Sequence, residues 1–287
     1  MKVTRPDPLV KAPAAKGRDP GLPSFRDPPV NETALSIQFA PIPNFGIPHY
    51  GLYWARIRDN FPRFEVQPPL DAVTEPLDGS LRVQPRFGLQ FLALPDVRVW
   101  FVDRGGSRLI QLQRDRFIHN WRQFTPSEKY PRYESVRATL QTEWEGFCAF
   151  LESEKLGAPQ VNQCEVTYVN HIEYGKGWNR YGELNRVVAP WSGVGSGKFL
   201  PSPESVNMEV HYLLPNNLGR LHVSVAPVVR GRDSQEILQV MLVARGAPKT
   251  SSFDDVFAWL DIGREWVVKG FTDFTTDSMH KHWGRQS

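Results

Sequence analysis

The sequence predicts an α+β fold built on antiparallel sheets. Three observations carry this. Stretches of alternating polarity recur along the chain, helical apolar stripes lie between some of them, and helices interleave with strands only in the first half. The first element is a strand near PPVNETALSIQFAPI, where Leu35, Ile37 and Phe39 alternate with Ala34, Ser36 and Gln38. In HYGLYWARIRDNFPRF, Tyr50, Tyr53, Trp54, Ile57 and Phe61 recur at helical spacing, and Pro62 stands where a helix should stop. Residues 65–86 contain Pro68, Pro69, Pro76 and Pro85 and read as a long connection with little regular structure.

VRVWFVD at 97–103, the turn Arg104-Gly105-Gly106-Ser107 and LIQLQRDRFIHNWR at 109–122 form a predicted hairpin. An amphipathic helix follows, from Pro131 to Gly157, with Tyr133, Val136, Leu140, Trp144, Phe147 and Leu151 in one stripe. VNQCEVTYVNHI is the next strand. Strand, helix, strand, strand, helix, strand is the split βαβ order of a ferredoxin-like unit. The second half reads as a three-strand meander, SVNMEVHYLL, RLHVSVAPVV and EILQVMLVAR, then a long helix. Ser252 with Asp255 resembles a capping box with Asp in place of Glu, and Gly263 and Gly270 are expected to weaken or bend that helix. The expected organisation is a disordered, basic, Pro-rich leader at 1–27, a ferredoxin-like half at 28–173, a Gly/Pro-rich linker or lid at 174–204, and at 205–287 the meander and helix, packed on the first half.

The 287 residues are 40% hydrophobic and 23% charged, ordinary for a globular chain. No apolar run approaches the ~20 residues that span a bilayer, and the first residues lack the apolar core of a signal peptide. With only Cys148 and Cys164, both read as buried packing residues, the expected location is a reducing cytoplasm. Residues 1–27 hold six basic and three acidic side chains, an excess equal to the +3 of the whole chain. The body is therefore neutral, and extended nucleic acid, which needs a basic surface, is not an expected partner.

The segment 109–122 poses the main question, because neither of its alternating faces is cleanly apolar. A bulge near Arg114-Asp115 would put Ile110 and Leu112 on the side of Phe117. Alternatively the strand outlasts the core, or Gln111, Gln113, Asp115 and His119 line a polar groove between the halves. The bland alternative is that the glutamines bond a neighbouring strand or loop and His119 is a structural histidine. Arg114, Arg116 and Arg122 with Trp121 form a candidate basic-aromatic patch for stacking a base or gripping a phosphate.

The runs PPVNETALSIQFAPI, HYGLYWARIRDNFPRFEVQPPL, RLIQLQRDRFIHNWR, YPRYESV, CEVTYVNHI and FTDFTTDSMHKHWG resemble a sporadically distributed prokaryotic family of uncharacterised proteins. The likeness covers residues 28–287 and centres on Q-x-Q-x-D-R-F-x-x-N-W-R with Y-P-R-Y-E. No chemistry comes with it. The family's patchy distribution implies an association with mobile or defence-related elements.

Catalytic motifs are lacking. GVGSGK at 193–198 is the nearest glycine-rich run, but Phe follows Lys198 and no strand precedes it, so it is not a phosphate loop. His280 and His282 are two apart on a helix and diverge, and His211 and His222 approach across a turn without a third ligand, so no metal is expected. Asp115, Glu134, Glu165 and Glu173 become catalytic only if folding pairs them. The leading expectation is a non-catalytic cytoplasmic binding protein without a cofactor, taking an unknown protein partner or small ligand in a defence, toxin–antitoxin or stress setting, with exposed Trp and Arg, beside Trp121 and Trp178, as anchors. Its site residues are Gln111, Gln113, Arg114, Arg116, Asn120, Trp121, Arg122 and, from the next strand, Asn170. The alternatives are a hydrolase or nuclease using Asp115 and His119, and a nucleotide or nucleic-acid binder through Arg114, Arg116, Trp121 and Arg122.

Overall fold

Alternating side chains of the strands divide the molecule into a dry face and a polar face of one sheet. A computed structural model of the chain describes residues 21–77, 97–192 and 199–287. The strands are β1 (Val30–Phe39), β2 (Arg63–Gln67), β3 (Arg98–Val102), β4 (Arg108–Gln113), β5 (Arg116–Arg122), β6 (Val161–Glu173), β7 (Met208–Leu213), β8 (Arg220–Arg230) and β9 (Gln235–Gly246). The helices are α1 (Ile47–Ile57), α2 (Tyr133–Ser153), α3 (Phe253–Phe274) and the short α4 (Asp277–His282). Among the described residues all nine strands join one antiparallel sheet in the order β2-β3-β4-β5-β1-β6-β9-β8-β7. The fold is thus α+β, but with one sheet where several were expected: the second half adds its strands edge to edge through β6 and β9.

Leu35, Ile37, Phe117, Leu112, Val166, Leu242 and Val223 share the dry face, as their cross-strand pairing requires. Tyr53 of α1 meets Phe117, Phe147 and Phe150, and Trp144 of α2 meets Phe39 and Phe117. The α3 helix lies over β6 and β9 and reaches β8. A methyl group at Gly263 would sit 2.9 Å from Val166, and one at Gly270 would sit 2.6 Å from Leu221. These glycines therefore permit close helix–sheet approach. Ser252 accepts from the Asp255 amide at 3.2 Å. The return half of the expected capping box is replaced, because Thr250 bonds both the Ser252 amide and the Asp255 carboxylate. Helices α2 and α3 are tied where Tyr133 and Arg137 both reach Asp261.

Several expectations need correction. Residues 109–122 are two strands, with the chain reversing at Arg114-Asp115 and Gln113 opposite Arg116. That reversal, and no bulge, brings Ile110 and Leu112 to the side of Phe117. No Gly or Asn marks the turn, and neither residue has positive φ. The turn is instead secured by its carbonyls, which accept from the amides of Phe39 and Ile42. Residues 65–67, read as the start of the connection, belong to edge strand β2. The leader boundary moves as well: Phe25 is buried against Phe271 and Trp283, and Arg26 and Asp27 bond the backbone of Gly284 and Trp283. Within the expected linker, Trp178, Tyr181, Leu184, Val187 and Val188 are buried core around a 3₁₀ turn at Tyr181–Arg186. Residues 1–20, the connection from 78, and the GVGSGK run lie outside the described residues.

The start of β8 and end of β9 approach too closely for a side chain. A methyl on Gly246 would overlap the Leu218 carbonyl oxygen and lie 2.9 Å from the Gly219 Cα. Gly246→Ala is expected to lower stability by about 2–3 kcal/mol in urea unfolding, whereas Gly231→Ala, with open space around it, stays within about 0.5 kcal/mol.

Candidate functional site: the polar sheet face

The face opposite the helices carries Gln38, Gln111, Gln113, Arg116, Asn120, Arg122, Gln163, Glu165, His171, Arg220, His222, Arg230 and Arg245. Unpaired amides and cations under cover are costly, so each needs a partner. Three glutamines find one in the chain segment 68–77, which crosses the sheet. Gln113 of β4 exchanges two bonds with the Leu70 backbone, both 2.9 Å. Gln38 of β1 does the same with Val73, at 3.1 and 3.0 Å. Gln163 of β6 accepts from the Glu75 amide at 3.4 Å. Primary amides mimic peptide groups, so these side chains pair with the strap as another strand would. Arg116 donates to the Asp71 carbonyl and to Gln38. The strap ends in a buried ionic cluster. Glu75 takes bonds from Arg220 and His222 and lies 3.6 Å from Arg245, and these partners outweigh burial and hold its carboxyl below the usual range.

In the middle of the face a one-way relay runs toward a carboxylate. Arg98 and Trp100 donate to Gln111 Oε1 at 2.8 and 2.9 Å, Gln111 donates to Asn120 at 2.7 Å, and Asn120 donates to Glu32 at 2.6 Å. Burial raises the Glu32 carboxyl, opposed by Asn120 and by the Arg122 charge.

At the end opposite the strap, six residues along β1 and so about 20 Å away, the face opens into a cleft of about 610 Å³. It is lined by the ends of β1, β5 and β6 and by the β8–β9 hairpin, with Glu32, Arg122, Phe124, His171, Arg230 and Arg232 supplying its chemistry. Arg122 Nε donates to the Gly106 carbonyl at 2.9 Å, while its guanidinium sits 5.9 Å from the Trp100 ring and 5.8 Å from Phe124. Among the described residues none accepts from its two terminal nitrogens. Arg230, by contrast, is engaged by Glu173, Asp233 and Gln235. Arg232 donates to Gln123 at 2.9 Å through one terminal nitrogen. His171 Nδ1 is buried with no partner among the described residues. Burial, reinforced by Arg230, drops that imidazole to about 4, so it is neutral at pH 7.

The predicted residues therefore separate. Arg122 lines the cleft, and Gln111 and Asn120 support it from behind through Glu32. Gln113 and Arg116 belong to the strap, and Arg114 lies in the turn. Trp121 is on the dry face against Tyr130, and Asn170 is buried, donating to the Val240 carbonyl. Trp178, expected as an exposed anchor, is wholly buried. Asp115 accepts from Gln113 in the turn. His119 bonds Glu143 of α2 at 2.7 Å, but it points into the core and is 1% exposed. Asp115 and His119 thus do not converge on the cleft. His211 and His222 face each other at 4.6 Å, each turned to a carboxylate, Glu209 and Glu75. His280 bonds Thr275. Phe124, Arg230, Arg232 and His171 were not anticipated. Only the aromatic–cation pattern around Arg122 hinted at Phe124.

No protein-family model, curated protein or solved structure matches the chain.

Two outcomes follow from the face's chemistry. Glu75→Ala leaves Arg220 buried and unpaired. It should cost about 3 kcal/mol in urea unfolding and open residues 68–77 to limited proteolysis. For His171, the folded value near 4 lies below the ordinary 6.5. Between those values the unfolded chain binds a proton that the folded chain refuses, so stability falls as pH drops through that window. His171→Gln should flatten that slope in urea midpoints measured across it.

Proposed function

We propose that this chain is a binding protein that takes a small anionic ligand in the cleft at the open end of its polar sheet face. The observation that carries the reading is Arg122. Its planar guanidinium is buttressed by Gly106, Trp100 and Phe124, yet its two terminal nitrogens are left to face a cleft of ligand size. The second guanidinium, that of Arg232, adds a donor beside it, and neutral His171 adds no opposing charge to the wall. A catalytic reading draws less support, because His119, paired with Glu143, is sealed in the core, and His222, paired with Glu75, is held in the ionic cluster at the end of the strap.

The same proposal includes the finer fold, the family and the location. A ferredoxin-like unit is supported by the order β6-β1-β5-β4, with α1 and α2 on one face and β2–β3 added at its edge. The resemblance to a sporadically distributed prokaryotic family, and through it a mobile-element or defence setting, rests on the motif that spans β4, the turn and β5. A cytoplasmic location agrees with two unpaired thiols, of which Cys148 is pushed up to about 11 by burial and so stays protonated. No helix among the described residues is long and apolar enough to cross a membrane.

Thermal unfolding with phosphate, sulfate or citrate against chloride at matched ionic strength tests the anion reading. The expected result is a rise in Tm, about 2–4 °C per kcal/mol of binding energy, that disappears in Arg122→Ala. An equal rise in wild type and Arg122→Ala would remove the cleft as the site.

A further inference from the structure

Phe124 is 51% exposed, although large apolar rings gain most from burial. It is not loose. One ring face rests on Gly106, where a methyl group would stand 3.2 Å from three of its ring carbons, and the Arg122 guanidinium lies 5.8 Å from its centroid. Gly106 has φ +83°, a conformation that also favours glycine, so backbone geometry and the absence of a side chain combine to seat the ring. Its own amide is held by Glu128 at 2.7 Å. The result is an aromatic plate fixed on one side, with its exposed part at the rim of the cleft.

Beside that plate are two cations with donors to spare. Arg122 has both terminal nitrogens, and Arg232 has the one that Gln123 does not engage. The third, Arg230, is held by Glu173 and Asp233. Arg232 also lies 3.9 Å from the Asp233 carboxylate and Glu32 opposes both cations, so the positive charge left over, mainly that of Arg122, suits a single phosphate group. Its volume of about 610 Å³ lies within the ~300–1,000 Å³ of pockets that enclose whole small molecules, so a lone inorganic anion would leave most of it empty. A flat ring joined to one phosphate matches both halves of the lining.

We propose that the cleft is a mononucleotide site in which the base stacks on Phe124 and a single phosphate faces Arg122 and Arg232. Glu32 is placed to accept from a ribose hydroxyl or an exocyclic amine. This inference rests on the anionic-ligand reading of the same cleft. Additional phosphates find no further free guanidinium among the described lining residues, so a triphosphate gains nothing over a monophosphate.

Isothermal titration of the full chain with AMP, GMP, CMP and UMP, with ATP, with ribose 5-phosphate and with inorganic phosphate tests it. At least one monophosphate nucleotide is expected to bind about ten-fold tighter than ribose 5-phosphate, the increment that base stacking supplies, with ATP no tighter than AMP. Phe124→Ala removes that gap, so that within this variant nucleotide and ribose 5-phosphate bind alike, Phe124→Trp keeps it, and Arg122→Ala weakens nucleotide and sugar phosphate alike. Melting curves of each variant establish that it folds. If the four nucleotides bind no tighter than ribose 5-phosphate, or if Phe124→Ala leaves the gap intact, the nucleotide assignment is overturned while the anion site stands. If neither phosphate, ribose 5-phosphate nor any nucleotide binds, both fail.

Discussion

The pairing of β6 with β9 over ten residue pairs, Cys164–Gly246 to Glu173–Ile237, is the contact on which the rest depends. It converts two runs of strands, far apart in sequence, into one surface. It also carries α3 to α2, where Asp261 receives Tyr133 and Arg137. The same register brings the β8–β9 turn alongside the ends of β1 and β5, which is where the cleft forms. Without this seam the meander would be a separate small sheet with an exposed hydrophobic face, and Arg122 would have no opposing wall.

A sheet with helices on only one side must account for its other side. Here, among the described residues, the solution is neither full solvation nor a second helical layer. Glutamines placed on three strands bond the backbone of a crossing segment, and an ionic cluster around Glu75 anchors its far end. Polar strand residues thereby become structural, and the dense run of donors and acceptors at 109–122 is explained chiefly by the need to hold a strap and a relay. The cleft occupies the part of the face that the described strap does not reach. Function is proposed there because its cations are less completely paired than those under the strap.

Much of the layout was legible from periodicity. The strands at 30–39, 161–173 and 220–246 and the helices at 133–153 and 253–274 follow patterns whose faces are set by residue spacing, and the Ser252 cap was visible in the letters. The hairpin at Arg114-Asp115 was not, because its stability comes from amides of residues 39 and 42 and leaves no Gly or Asn behind. The phase break it produces was readable all the same, since Ile110, Leu112 and Phe117 cannot share a face on one uninterrupted strand. Trp178 was misplaced because glycine and asparagine around an aromatic residue look like a loop whether or not the loop is buried.

By itself, the sequence determined which segments alternate, which coil and which residues on each are apolar, because these are local consequences of backbone repeat and side-chain polarity. It also carried Arg122 as a candidate. Tertiary structure alone decided that Gln113 is occupied by the strap, that His119 is sealed against Glu143, and that Arg122 meets His171, Arg232 and Phe124 around one cleft. The physical reason is that a polar side chain's role depends on whether another chain segment satisfies it, and here those segments lie dozens of residues away and are brought close only by strand order and register.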